Sequence, residues 1–227
     1  MKKRFSKTIG IIGGAGPMAS AFLLSSIVSI CQKVYNANDY NEFPEIVLIS
    51  YPFTRGKKEA IQQELAACFS RLTKVGVHYV CIASHSFHGF LPEGPVPHGF
   101  INLVDEGLAE ALRLRITRAL ILAAPLTITM KLYERSNIQC VYPTAADQQI
   151  VNEIIREIAG GRIEVDQSKR LRDVIERTAL AIPFDGIIIA CTELPLTLSK
   201  TPIAQNLPIV DTTQAISTRL ISLARSS

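Results

Sequence analysis

Near-continuous apolar runs recur along the chain at residues 8–12, 46–51, 79–83, 119–123, 139–142 and 186–190. They are short, rich in β-branched residues and bounded by polar or turn residues, so each predicts a strand. Their apolar positions do not alternate with polar ones, which is the pattern of strands covered by helices on both faces. Amphipathic stretches of helical length lie between them, at 18–35, 57–75, 105–114, 146–158, 168–181 and 213–224. This alternation predicts an α/β fold with mainly parallel sheets flanked by helices.

Punctuation along the chain sharpens these elements. Pro17 suits the opening turn of the first helix, and Gly76 and the Gly160-Gly161 pair suit the ends of two others. In the first helix, Ala21, Leu24, Val28 and Cys31 form a stripe expected to face the core.

The strand and turn beginning at Ile9 have a counterpart beginning at Ala119, an offset of roughly 110 positions, which marks an internal duplication. The runs ending at Ser84 and Cys191 are separated by a similar interval. Two pseudo-symmetric lobes are expected, residues 1–114 with 207–227 and residues 115–206. Ligands of open parallel sheets bind beyond the carboxyl ends of strands, so an active site is expected in the cleft between the lobes.

Composition narrows the partners. The 227 residues are 48% hydrophobic and 19% charged, and a net charge of +4 is spread along the chain. A small anion is therefore a better partner than nucleic acid. No continuous apolar run reaches the ~18 residues that would span a bilayer, and the basic start leads into a glycine-rich turn, so a cytoplasmic protein without membrane attachment is expected. The five cysteines are widely spaced and include no CxxC pair, so reduced thiols and no metal site are expected.

Three segments carry candidate chemistry. Gly10-Ile11-Ile12-Gly13-Gly14-Ala15-Gly16-Pro17 joins a strand to a helix amino-terminus, where a carboxylate or phosphate can sit, although a turn that merely needs glycine fits as well. A loose dinucleotide pattern is present here too, but Tyr51-Pro52 stands where its acidic residue belongs. Ala190-Cys191-Thr192-Glu193 delivers a thiol from a buried strand beside a hydroxyl and a carboxylate, and a raised thiolate fraction would make it a base. Ser84-His85-Ser86-Phe87-His88 ends the corresponding strand of the first half. Ser84 and His88 also fit a nucleophile and base pair, without the elbow motif of a hydrolase. Cys31, Cys68, Cys81 and Cys140 are expected to pack in elements.

These motifs, in this order, resemble the aspartate/glutamate racemase family. Gly10–Pro17 looks like its glycine-rich start, Cys191-Thr192-Glu193-Leu194 like its second cysteine motif, and Pro208-Ile209-Val210-Asp211-Thr212 like its closing segment. The resemblance implies two similar lobes, a dimer, an amino acid or dicarboxylate as substrate, and paired acid/base groups working without pyridoxal phosphate or another cofactor. The first cysteine motif departs from the family, with Ser84 at the cysteine position and His85 in place of an asparagine. The implied mechanism exchanges the α-proton between Cys191 on one face and Ser84, helped by His85 or His88, on the other. Gly14, Gly16, Ser86, Thr127, Thr192 and Glu193 are expected to hold the substrate, with Arg55 as counter-ion for an acidic side chain. Alternatives are a one-thiol decarboxylase or cis-trans isomerase of the same superfamily and a non-catalytic amino-acid-binding protein.

Overall fold

The computed structural model describes residues 5–54, 56–94, 96–198 and 207–225. It divides into two compact units, Met1–Leu103 with Thr213–Ser227, and Val104–Thr212.

The first unit is built on β1 (Ile9–Gly13), α1 (Pro17–Tyr35), β2 (Ile46–Ser50), α2 (Lys58–Val75) and β3 (Tyr79–Ile82). Its sheet is parallel, in the order β2-β1-β3. The central strand β1 is buried at every position, whereas the edge strand β2 is buried only at Ile49. Each fully buried aliphatic side chain contributes about 2 kcal/mol, so Ile9, Ile11 and Ile12 make β1 the anchor of the unit. Successive side chains of a strand point to opposite faces. Ile9 and Ile11 pack with Leu23, Ile27 and Cys31 of α1 and with Ile216 and Leu220 near the carboxyl end of the chain, while Gly10 faces Leu72 of α2.

The second unit contains α3 (Leu103–Arg113), β4 (Arg118–Ala123), α4 (Pro125–Thr129), β5 (Gln139–Val141), α5 (Ala145–Ala159), α6 (Val165–Ala181), β6 (Gly186–Ala190), α7 (Pro195–Leu198) and β7 (Ile209–Asp211). Helix α8 (Thr212–Arg225) then joins the first unit. The second sheet is also parallel, in the order β5-β4-β6-β7. Its first three strands repeat the order of the first sheet, with the earliest strand in the middle. One face packs Leu120, Leu122, Ile187 and Ile189 against α5 and α6. The other packs Ala119, Ile121, Ile188 and Ala190 against Val104, Leu108 and Ala111 of α3.

Four features differ from the sequence expectation. The buried stripe of α1 is Ala19, Ser20, Leu23, Ile27, Ile30 and Cys31, so of the four residues predicted to face inward only Cys31 is buried. This helix is apolar around most of its circumference, and pattern alone does not choose between neighbouring stripes. For the same reason α1 is long and apolar enough, by length and composition, to cross a bilayer, where the apolar runs alone had indicated no such segment; here its buried face packs on β1. The short strand β7, not anticipated, pairs with β6, so residues 209–211 belong to the second sheet while the expected division fell at 207. Helix α3 likewise packs into the second unit, ahead of the expected division at 114.

Candidate active site

At the carboxyl end of β1, Gly14 takes φ +103°. A Cβ there would run into the Tyr51 carbonyl oxygen, because Tyr51 N–H donates to Gly13 O and draws the segment after β2 across the end of β1. The glycine turn is also bound from inside. The Gly14 N–H donates to Ser20 Oγ at 3.1 Å, and Ser20 Oγ donates to Gly16 O at 3.2 Å. Ser20 is 2% exposed. The Gly14 amide is thus engaged by the protein itself, and the need for glycine at this position is set by packing.

Beyond β3, a 3-10 turn over Ser86–Phe90 lifts the chain out of the sheet. Ser84, half-buried, lies 3.4 Å from Ser86 through their hydroxyl oxygens. His88 is held at both ring nitrogens: Nδ1 donates to the Ser84 carbonyl oxygen at 2.8 Å, and Leu103 N–H donates to Nε2 at 3.2 Å. This pattern fixes the neutral Nδ1–H tautomer. The expected Ser84–His88 base pair is therefore not formed, because the imidazole meets the backbone of residue 84 instead of its hydroxyl. A 3-10 turn returns residue 88 over the carbonyls of 84 and 85, a geometry that residue spacing alone does not reveal. His85 is 3% exposed, and burial pushes its pKa down to about 3. Near neutral pH it is uncharged.

Phe53 stacks edge-on against Phe87 with ring centroids 4.7 Å apart, and is flanked by Tyr51 at 4.9 Å. Phe87 also meets Phe90. Residue pattern alone does not mark these rings, because aromatic residues after strands commonly belong to the core. Arg55 lies outside the described residues.

In the second unit, β6 is buried throughout and is followed directly by Cys191, which is 3% exposed and belongs to the apolar cluster with Leu194. Cys191 Sγ donates to Glu193 Oε2 at 3.2 Å, and Thr192 Oγ1 donates to the same oxygen at 3.1 Å. Burial pushes the thiol well above its ordinary pKa and the Glu193 carboxylate pushes it further, while the backbone amides of Glu193 and Leu194 pull it back. The expected raised thiolate fraction is thus reversed in this arrangement. The apolar cluster disfavours the anion, and the adjacent carboxylate needs the thiol proton.

Thr127 sits in α4, which opens on Pro125 directly after β4. It is 2% exposed and, among the described residues, its Oγ1 has no hydrogen-bond partner. Gln148 of α5 donates from Nε2 to Ala123 O at the end of β4 and to Asn152 Oδ1, while its buried Oε1 lacks a partner among the described residues. In the sequence Gln148 stands out only as one position of a predicted helix. The unmatched oxygen appears only once the helix is docked. The closing segment contributes a strut, with Thr212 Oγ1 donating to Ile189 O at 2.8 Å. Among the described residues no group of His, Cys, Asp and Glu side chains is placed to hold a metal.

The family model described as Asp/Glu/Hydantoin racemase matches residues 12–220. The broad specificity amino-acid racemase RacX of Bacillus subtilis (strain 168) is 24% identical, over 94% of this chain and 96% of its own. An aspartate racemase homologue from Pyrococcus horikoshii OT3 shares the fold with TM-score 0.78 at 22% identity, covering 97% of this chain and all of its own. The Picrophilus torridus aspartate racemase does so with TM-score 0.74 at 22% identity, covering 96% and 94%.

Proposed function

Because the chain belongs to the Asp/Glu/hydantoin racemase family, we propose that it exchanges the α-proton of an amino acid without a cofactor, Cys191 and Ser84 serving opposite faces of the α-carbon. The observation that carries this reading is the hydrogen bond from Cys191 Sγ to the Glu193 carboxylate. Glu193 is the acceptor through which a buried thiol can turn into a base. When the thiol proton passes to Glu193, the thiolate removes the α-proton, and the electron pair left on the α-carbon delocalises into the substrate carboxylate. Returning the proton to the other face falls to Ser84, whose hydroxyl is replenished through Ser86 Oγ. Thr127 supplies a hydroxyl for the substrate carboxylate, while Thr192 holds the Glu193 carboxylate in place. His85 and His88 position the Ser84 segment in this reading, one as a neutral buried ring and the other as a strut between Ser84 O and the Leu103 amide.

A second reading is favoured by the Ser84 surroundings. The neighbouring imidazole of His88 bonds the Ser84 carbonyl and not its hydroxyl, which leaves the hydroxyl a weak base. One-sided chemistry by Cys191 alone, as in a decarboxylase or cis-trans isomerase of the same superfamily, fits that arrangement.

Proton NMR in deuterated water over a panel of L- and D-amino acids, paired with chiral analysis, tests both. Loss of the α-proton with racemisation, abolished in Cys191→Ala, is the expected result. Exchange with retained configuration selects the one-sided reading, and full racemisation by Cys191→Ala removes Cys191 from the mechanism.

A further inference from the structure

We propose that the rings of Tyr51, Phe53 and Phe87, backed by the buried Phe90, receive the substrate side chain, so that the preferred amino acid carries a large apolar or aromatic side chain. For the reaction itself this inference rests on the racemase reading above.

The placement of the rings comes first. Tyr51 and Phe53 follow β2, while Phe87 and Phe90 follow β3, in the same turn that carries Ser84 and Ser86. In the sheet β1 separates these two strands. The rings nevertheless meet, Phe53 on Phe87 at 4.7 Å and Phe87 on Phe90 at 6.1 Å. The bare Cα of Gly14 lets residues 51–53 cross over the end of β1. The glycine turn thus builds an aromatic wall beside the Ser84 segment.

Exposure and charge say what the wall is for. Tyr51, Phe53 and Phe87 remain half-exposed although they stack on one another, whereas rings serving only as core are buried. Among the described residues 14–16, 51–54 and 84–91 there is no lysine or arginine, and Arg55, which follows Thr54, lies outside the described residues. Next to Phe53, Thr54 is tied to α2, its N–H donating to Glu64 Oε2 at 3.2 Å and its hydroxyl donating to Glu64 Oε1. A carboxylate brought against these rings would lose hydration, whereas a leucine, methionine or phenylalanine side chain would gain apolar contact.

The test compares kcat/KM for α-proton exchange on alanine, leucine, phenylalanine, aspartate and glutamate, in the wild type, Phe53→Ala and Phe53→Leu. Phenylalanine or leucine should exceed aspartate and glutamate. The phenylalanine-to-alanine ratio should fall about tenfold in Phe53→Ala, mostly through KM, and recover in Phe53→Leu. Preference of the wild type for aspartate or glutamate would overturn the inference, as would an unchanged ratio in Phe53→Ala. Calorimetric titration with L-phenylalanine and L-aspartate separates this inference from the racemase reading. Tighter binding of phenylalanine, weakened in Phe53→Ala, without any exchange supports the aromatic subsite and sinks the racemase reading; binding of neither, or of aspartate more tightly, overturns the subsite.

Discussion

Cys191 Sγ donates to Glu193 Oε2 at 3.2 Å, and the same oxygen accepts from Thr192 Oγ1. Two residues on the same short turn therefore hold one carboxylate oxygen, and the thiol is kept in its protonated form until that oxygen takes the proton. Glu193→Gln keeps the shape and removes both the charge and the proton acceptor. We expect kcat/KM to fall on the order of 100-fold. Because the Glu193 charge raises the thiol pKa, the limb of the pH profile that reports the thiolate should also move to lower pH. A purely structural Glu193 would lower activity without moving that limb.

The two faces of the substrate should not be served equally. Cys191 has a carboxylate acceptor, whereas Ser84 Oγ has the hydroxyl of Ser86 at 3.4 Å. In deuterated water one enantiomer should therefore lose its α-proton on the order of tenfold faster than it is converted to the other. Equal exchange and conversion rates for both enantiomers would show that Ser84 works as well as the thiol.

Thr127 carries a buried hydroxyl with no partner among the described residues, and a buried hydroxyl left without one costs stability. Thr127→Val should raise the thermal denaturation midpoint, corresponding to about 1 kcal/mol of stability, and raise KM for the amino acid. A variant that loses stability instead would mean that the hydroxyl is satisfied in the native protein and has no waiting ligand.

Gly14→Ala should destabilise the protein by about 3 kcal/mol in urea unfolding, since φ +103° is unfavourable to alanine and the added methyl meets the Tyr51 carbonyl. Gly76 also has positive φ, at +84°, but nothing lies within 4 Å of its added Cβ. Gly76→Ala should cost only about 1 kcal/mol. Similar losses at the two sites would remove the close approach as the reason for Gly14.

His85 gives stability a pH dependence of known sign. Its folded pKa, about 3, lies below the ordinary histidine value of 6.5. Between these values the unfolded chain binds a proton that the native protein does not, so this contribution is complete above pH 6.5 and declines as pH falls toward 3. The loss is about 1.4 kcal/mol per pH unit within that window. His85→Gln should flatten the acid side of a stability curve measured by urea unfolding from pH 7 to 4. An equally steep curve in the variant would place the acid sensitivity elsewhere.

The sequence by itself determined the order and type of the main elements. Runs such as 186–190 are so uniformly apolar that only a strand covered on both faces can bury them, and β6 is indeed buried at every position. It also delivered Ser84 and Cys191 to the ends of matching strands, because strand ends are set by where local apolar runs stop. The buried stripe of α1, the pairing of β7 with β6 and the crossing of residues 51–53 over Gly14 were decided by tertiary structure alone. So was the turn of His88 toward the Ser84 carbonyl. Local pattern states which residues avoid water, but a helix apolar on several sides can face the core in more than one way. An imidazole four residues from a serine can likewise bond its hydroxyl or its carbonyl. Only packing, which decides which donors and acceptors are left without water and must find each other, selects one arrangement.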